Sequence, residues 1–483
     1  MRDMVLVLNY DDSASRAVTR KLRSERVFCK IVPGNITLEA IQAQEPLGLL
    51  LAGGVSGRTP AGLDGRIPSS GIPMLALGDA AASLLQCLGG EVGEPVLQGA
   101  VMELTYQESP LLREVENDER LLQCAREMRL PPQVRPLCSA QETVIGFAHE
   151  SLPLYAMQFQ VEQNDPEGSA MLRNFAFNIC GCDAWWDENA FVGRAVEEIR
   201  RLTGDGRAVC AMTGGLDSGV SAMLAHKALG DRLKCIFVDT GLLREREGQD
   251  MLAYYRDEIG MDIACVSAEE RFLNALQGVT DPEEKRKTIS GLIRQVLRET
   301  EEGLGGFNAV IRGTSCNDVM FGNRPAIPAA AADVPLIEPV RDLFKEEIRS
   351  VADFLGMPQE IIARQPFPAS GLALRIVGEV TEKRLRVLRE ADAVFRSELA
   401  RSGASKRLWQ FFAVLLPLPG NERENVVCLR AVYASESSQA YAARLPYDVM
   451  ENVAELIRRD LPDVSRVVYD LTPGENFASI EWQ

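Results

Sequence analysis

A chain of 483 residues with 46% hydrophobic and 25% charged residues has the make-up of a globular protein and the length for about two to four domains, each with its own core. Its formal net charge of −17 argues against a nucleic-acid surface, since phosphate binding needs a concentrated basic footprint. No apolar run reaches the roughly 18 residues of a membrane helix, and no spacing among the 11 cysteines, of which only Cys180 and Cys182 form a close pair, suits zinc, so reduced thiols in a cytoplasm are expected.

The start, Met1 to Leu8, is too short and acid-interrupted for a signal peptide and reads as a first strand. Residues 2–9, 26–32 and 47–52 read as strands alternating with helical stretches, Ser13 to Glu25 and Thr37 to Ala43, a rhythm that predicts a parallel sheet flanked by helices. Leu49-Leu50-Leu51-Ala52-Gly53-Gly54 ends a strand in a glycine turn, and Pro73 to Ala80 is a further strand running into a helix that continues to Leu88-Gly89-Gly90. This segment resembles the glutamine amidotransferase domain that opens GMP synthetases, where the same elbow carries a nucleophilic cysteine. Counted back from Leu88-Gly89-Gly90, the cysteine position holds Gly78. The family's Tyr-Gly-Val-Gln-Phe-His-Pro-Glu is matched by Tyr155-Ala156-Met157-Gln158-Phe159-Gln160-Val161-Glu162, so Gln160 stands at the catalytic histidine while Glu162 is kept. Glutamine hydrolysis through a thioester needs a thiolate and a titrating base. Gly78 and Gln160 supply neither, and the two histidines, His149 and His226, fall elsewhere. Cys87, nine positions past the elbow, reads as core. The resemblance implies a glutaminase fold without glutaminase activity.

Ala176 to Trp186 resembles the family's junction between domains, and Cys180-Gly181-Cys182 within it is expected to pack rather than bind metal. Phe191 to Leu202 has helical spacing. Then Ala208-Val209-Cys210-Ala211-Met212 reads as a buried strand, Thr213-Gly214-Gly215-Leu216-Asp217-Ser218-Gly219 as a glycine-rich turn, and Val220 onward as a helix. Backbone N–H groups gathered at a helix start suit a phosphate. The order lacks the Gly-Lys-Ser/Thr of common NTPase loops and the glycine spacing of dinucleotide folds. It resembles the Ser-Gly-Gly-x-Asp-Ser loop of ATP pyrophosphatases (PP-loop), with Thr213 in the first serine position. Cys235 to Asp239 is a second continuous apolar strand, ending in an acid where a parallel sheet places its next ligand loop. The resemblance continues through Thr240 to Arg244, through Asp281 to Lys287, where Arg286 matches an arginine facing the nucleotide substrate, and through Val310 to Thr314. Next, Asp318 is retained but Cys316-Asn317 replaces a tyrosine-proline. The family's long segment with Lys-Ser-His-His is shortened to Phe321–Val334, and agreement resumes from Leu336 to Arg349.

Gln365 to Arg375 is similar to the family's His-Pro-Phe-Pro-Gly-Pro-Gly-Leu-Gly-Val-Arg, with Gln365 for the histidine, Ala369 for a glycine and Ser370 for a proline. From Val426 onward the chain matches the C-terminal dimerisation domain, whose half-open sheet calls for a twofold partner. Near the end Glu475 stands where the family has a phosphate-supporting lysine, and Glu481 is kept.

The expected class is α/β: an amidotransferase-like domain (1–185), a PP-loop ATP pyrophosphatase domain (186–365) and an α+β dimerisation and substrate domain (366–483). The resemblance implies an ATP- and magnesium-using ligase that adenylylates a carbonyl oxygen, XMP in the family, and lets ammonia displace AMP. An amine or sulfur donor with another substrate, and a silent regulatory role, stand as alternatives. Asp217 and Ser218 are the expected catalytic residues, with Asp217 also holding magnesium through ATP. Thr213 to Gly219, Asp239, Gly313 and Thr314 are expected to bind ATP, and Arg286, Asp318, Arg375 and Glu481 the substrate. Cys316 is a speculative nucleophile. A homodimer, with or without a separate ammonia or sulfur donor protein, and no nucleic acid or membrane, completes the expectation.

Overall fold

The computed structural model describes residues 3–161, 165–320, 334–365, 367–368, 370–418, 420, 425–434 and 440–473. Glu162, Glu475, Glu481 and nearly all of the shortened segment at 321–334 therefore lie outside the described residues. The chain forms two compact units, Met1–Arg194 and Ala195–Gln483.

The first unit is built on an eight-stranded sheet in the order β2 (Cys29–Pro33), β1 (Val5–Asn9), β3 (Gly48–Ala52), β4 (Met74–Leu77), β10 (Leu154–Met157), β9 (Thr143–His149), β8 (Val134–Ala140) and β6 (Thr105–Tyr106). The members from β2 to β10 run parallel, and the rest antiparallel. Of the parallel strands, β1, β3, β4 and β10 are buried on both faces, which is why they read as apolar runs and not as alternations, whereas the edge strand β2 is only partly buried. The expected first helix is Asp12–Ser24, capped by Asp11, whose carboxylate accepts from Ala14 N at 2.8 Å. A two-stranded ribbon, β5 (Glu91–Glu103) with β7 (Glu119–Arg129), stands apart from the sheet; its exposed face hides it from a search for apolar strands.

The second unit holds a five-stranded parallel sheet in the order β13 (Ile263–Ser267), β12 (Leu233–Asp239), β11 (Ala208–Met212), β14 (Ala309–Ile311), β15 (Leu336–Ile337). Successive strands move outward from β11 to β13 and then resume on its other side at β14. The order thus reverses between β11 and β14, and the crevice at their carboxyl ends is where such sheets take ligands. A second sheet is made of β16 (Gln410–Pro417), β17 (Asn425–Ala434), β18 (Ala440–Ala442) and β19 (Val464–Tyr469), with the helix Tyr447–Asp460 between its last two strands. The helix Glu382–Arg401 packs against it. One apolar core joins the two layers, running from Leu242, Phe272 and Ile289 to Leu388, Phe395 and Leu429, and the expected division at 365/366 falls within this unit.

That joint is fastened by a cation. Lys285, in the helix Pro282–Leu304, is fully buried and donates to the carbonyls of Ile376 at 2.7 Å and Gly378 at 2.6 Å, with Ala373 O at 3.4 Å. Burial and the nearby Arg384 charge push its pKa down to about 8 from the ordinary 10.5. The folded amine gives up its proton near 8 while the unfolded side chain keeps it to 10.5, so this group makes stability rise with pH across that window. In Lys285→Met that rise is expected to disappear from urea unfolding free energies measured over the same range. An unchanged slope would refute the assignment.

Candidate active site

The chain leaves β11 at Met212 and enters the helix Leu216–Leu229 through Thr213, Gly214 and Gly215. Gly214 has φ +78°, which a side chain would strain. Gly215 is the N-cap, and no side chain caps the first-turn amides, so the helix opens with N–H groups directed at the crevice. Ser218 Oγ, buried, accepts from Thr213 N at 3.2 Å, donates to Gly215 O at 2.9 Å and lies 3.1 Å from Thr213 Oγ1, tying the turn to the helix. Gly313, leaving β14, lies on that first turn so closely that a Cβ there would stand 2.5 Å from Ser218 N. Gly219 is equally constrained, a Cβ falling 2.1 Å from the Tyr255 hydroxyl.

Asp217 is the electrostatic centre. Its carboxylate is 15% exposed and pairs through Oδ2 with Lys345 Nζ, at the start of the helix Lys345–Phe354. Its Oδ1 is buried with no hydrogen-bond partner among the described residues. Burial raises its pKa; Lys345 opposes that, and the Asp318 carboxylate adds to it. An oxygen held this way lacks a cation, and a hard oxygen donor beside a phosphate loop fits magnesium.

The other expected residues divide. Asp239, at the end of β12, accepts from Gly241 N at 3.0 Å and so shapes its own turn. Thr314 gives its hydroxyl to Glu338, a carboxylate that also pairs with Arg341. Asp318 accepts from Ser315 N at 2.9 Å and Ser315 Oγ at 2.7 Å, and its charge reaches Asp217. Arg286 pairs with Glu283 one turn back on its helix. Two expectations meet contrary geometry. Arg375 is fully buried, its guanidinium 4.1 Å from the Phe412 ring centre and 3.9 Å from Asp392, so it faces the core rather than an open crevice. Cys316 is 4% exposed, with its backbone N–H held by Leu343 O at 3.0 Å, in the setting of an inert structural thiol and not of a nucleophile.

In the first unit, Gly78 sits at the turn between β4 and the helix Ala80–Cys87 with φ +61°. A Cβ there would meet Gly54 O at 2.2 Å and Gly53 O at 2.7 Å. Gln160 Nε2 donates to Gly53 O at 3.0 Å, and Asp79 N to Gly54 O at 2.7 Å. The Asp79 carboxylate accepts from Ser56 N at 2.7 Å and Gly57 N at 3.0 Å, fastening the same loop a second time. His149 Nδ1 accepts from Ser151 N and Leu152 N, a turn contact.

Three families of domains match the chain in series: glutamine amidotransferase class-I over residues 6–179, NAD synthase over 189–387, and the GMP synthase C terminal domain over 397–482. Full-length relatives agree. The GMP synthase [glutamine-hydrolyzing] of Clostridium perfringens is 35% identical, covering 100% of both chains. The enzyme of the same description from Symbiobacterium thermophilum is 37% identical over 100% of this chain and 99% of its own. The chain belongs to the GMP synthase family. Its three-part α/β architecture is that of the family, a class I amidotransferase-like layer followed by a PP-loop layer and the GMP synthase C-terminal layer.

Two residues of this GMP synthase relative escaped the sequence reading. Lys345 lies 128 positions from Asp217, and nothing local announces that its amine closes on that carboxylate. Asp79 follows a missing nucleophile and looks like a helix start, yet it is the clamp of the loop. For Lys345, the signal available was a lone lysine opening a helix in a segment where agreement with the family resumes.

Proposed function

We propose that this protein is an ATP-dependent, ammonia-using ligase of the GMP synthase type. In this reading the β- and γ-phosphates of ATP, which leave as pyrophosphate, lie on the amides of Thr213 to Gly219, with Asp239, Gly313 and Thr314 toward the nucleoside. The carbonyl oxygen of XMP attacks the α-phosphorus, the bond to the bridging oxygen breaks, and pyrophosphate leaves. Ammonia then adds to the activated carbon, a proton is lost, and AMP departs. The residues hold and orient; little covalent work falls to the chain. Lys345 is the cation that meets the leaving pyrophosphate, and Asp217 would hold magnesium, which when bound neutralises charge on that same group. Arg286, Asp318 and Glu481 are assigned to the XMP side, and a cytoplasmic homodimer through residues 366–483 completes the proposal. Exposed Tyr433, Tyr441 and Val468 on the second sheet are in keeping with a covered face.

The observation that carries this reading is the unpartnered, buried Oδ1 of Asp217 at an uncapped helix start beside Lys345. Pyrophosphate release from ATP, assayed with XMP and ammonium and again with glutamine alone, tests it. Release is expected with ammonium only. Release with glutamine at a comparable rate would return the glutaminase, and none with either would remove XMP.

A second reading is favoured by Arg286 being occupied by Glu283 and Arg375 being buried: a less anionic carbonyl substrate, with an amine or sulfur donor. Titration of XMP in the presence of a non-hydrolysable ATP analogue separates the two, since a low-micromolar dissociation constant belongs to the first alone.

A further inference from the structure

The turn that follows Asp239 is held from outside its own layer. Three successive carbonyls are captured by the carboxyl-terminal part of the unit. Arg389, in the helix Glu382–Arg401, donates through Nη2 to Gly241 O at 2.5 Å and through Nε to Leu243 O at 3.0 Å. Between them, Leu242 O accepts from Leu372 N at 2.8 Å. The approach at that point is so close that a Cβ on Gly371, at φ +63°, would lie 2.4 Å from Leu242 O. On its other edge the turn is shaped by Asp239 Oδ1 and Thr240 Oγ1, which accept from Gly241 N and Leu242 N. Gly241 itself has φ +69°. A turn in that conformation, with three successive carbonyls directed at the carboxyl-terminal part of the unit, stays in place only while those carbonyls have donors.

We infer that Arg389 is a positioning residue for the ATP site: from the second layer it fixes the Asp239–Arg244 turn, and with it the Asp239 carboxylate, against the nucleoside. This rests on the ATP reading given above. Arg389 touches neither ATP nor substrate; it acts through two backbone oxygens. A guanidinium serves because its rigid planar fork holds Nε and Nη2 in one fixed geometry, each aimed at its own carbonyl, whereas an ammonium on a flexible stem would not fix the two directions.

The test is Arg389→Gln in the full-length protein, with Arg389→Lys as the variant that retains charge and most of the packing. Loss of two charge-assisted hydrogen bonds is expected to raise KM for ATP and the dissociation constant of a non-hydrolysable ATP analogue by about tenfold. kcat at saturating ATP is expected to stay within about twofold, because the group makes no transition-state contact. Arg389→Lys is expected to recover part of the loss. Amide hydrogen exchange across 240–244, measured without nucleotide, is expected to quicken in Arg389→Gln while exchange in the helix Leu216–Leu229 stays unchanged. Unchanged exchange at the turn, or an unchanged KM in a variant with quickened exchange, overturns the inference alone. A wild-type protein that fails to bind the analogue overturns the ATP reading and takes the inference with it.

Discussion

Asp217→Ala is expected to abolish pyrophosphate release, with kcat falling by about a thousandfold or more, in a protein that remains folded. The carboxylate is the only acidic group described on the first turn of the loop helix, and its unpartnered Oδ1 is the atom available to a metal. Removing it leaves Lys345, whose side chain is 40% exposed and so keeps its water. Truncation therefore strands no buried charge. It also relieves the burial that raises the Asp217 pKa, so the thermal midpoint is expected to hold or rise. Asp217→Asn keeps the shape and loses the charge, and should fail in the same assay. Activity within tenfold of wild type in either variant would mean the loop has been given the wrong role.

The second large effect concerns the first unit. Restoring the missing chemistry with Gly78→Cys and Gln160→His is expected to yield no glutaminase, and Gly78→Cys is expected to cost about 3 kcal/mol of stability, since backbone strain and overpacking each contribute about 1–3. The obstruction is oxygen, not only the absent thiol. A Cβ at 78 points at the carbonyls of Gly54 and Gly53, 2.2 and 2.7 Å away. An acyl-transfer site needs N–H donors where charge develops, and here acceptors face that space. The Gln160 amide and the Asp79 N–H hold these oxygens in place, and Asp79 fastens Ser56 and Gly57 behind them. Glutamate release measured on the double variant, alongside its thermal midpoint, checks both halves. Turnover in a stable double variant would show that the loop opens readily.

Much of this was legible in the sequence. The apolar runs at Val5–Asn9, Gly48–Ala52 and Ala208–Met212 are strands because a parallel sheet buries both faces and leaves no alternation to confuse. The glycine turn at Gly214-Gly215 was readable for the same local reason: only a narrow set of residues accepts that backbone. What was hidden is long-range. Arg375 reads as a ligand through its place at the end of the family motif, yet Asp392 and two aromatic rings gather around it from positions 8 to 37 residues away, with Phe367 and Phe412 at the extremes. Lys285 stands in a run of three cations, and only the tertiary fold reveals that the first of them is interior. The Gly53-Gly54 loop looked like an ordinary strand exit. Its closure on Gly78 depends on Gln160 arriving from 107 residues away.

The joint within the second unit has an evolutionary corollary. Lys285 and Arg389 reach across it in opposite directions, and both grip peptide oxygens instead of side chains. Every amino acid presents the same carbonyl, so the grip itself asks nothing of the side chains at Leu242, Leu243 and Ile376, while Gly241 and Gly378, at φ +69° and +88°, are held to glycine by their backbone. Substitution at this joint is therefore expected to be costly at the two cations and at the positive-φ glycines, and to cost nothing through the grip at the side chains whose carbonyls are held, so that the surrounding surface tolerates change while the two layers stay in register.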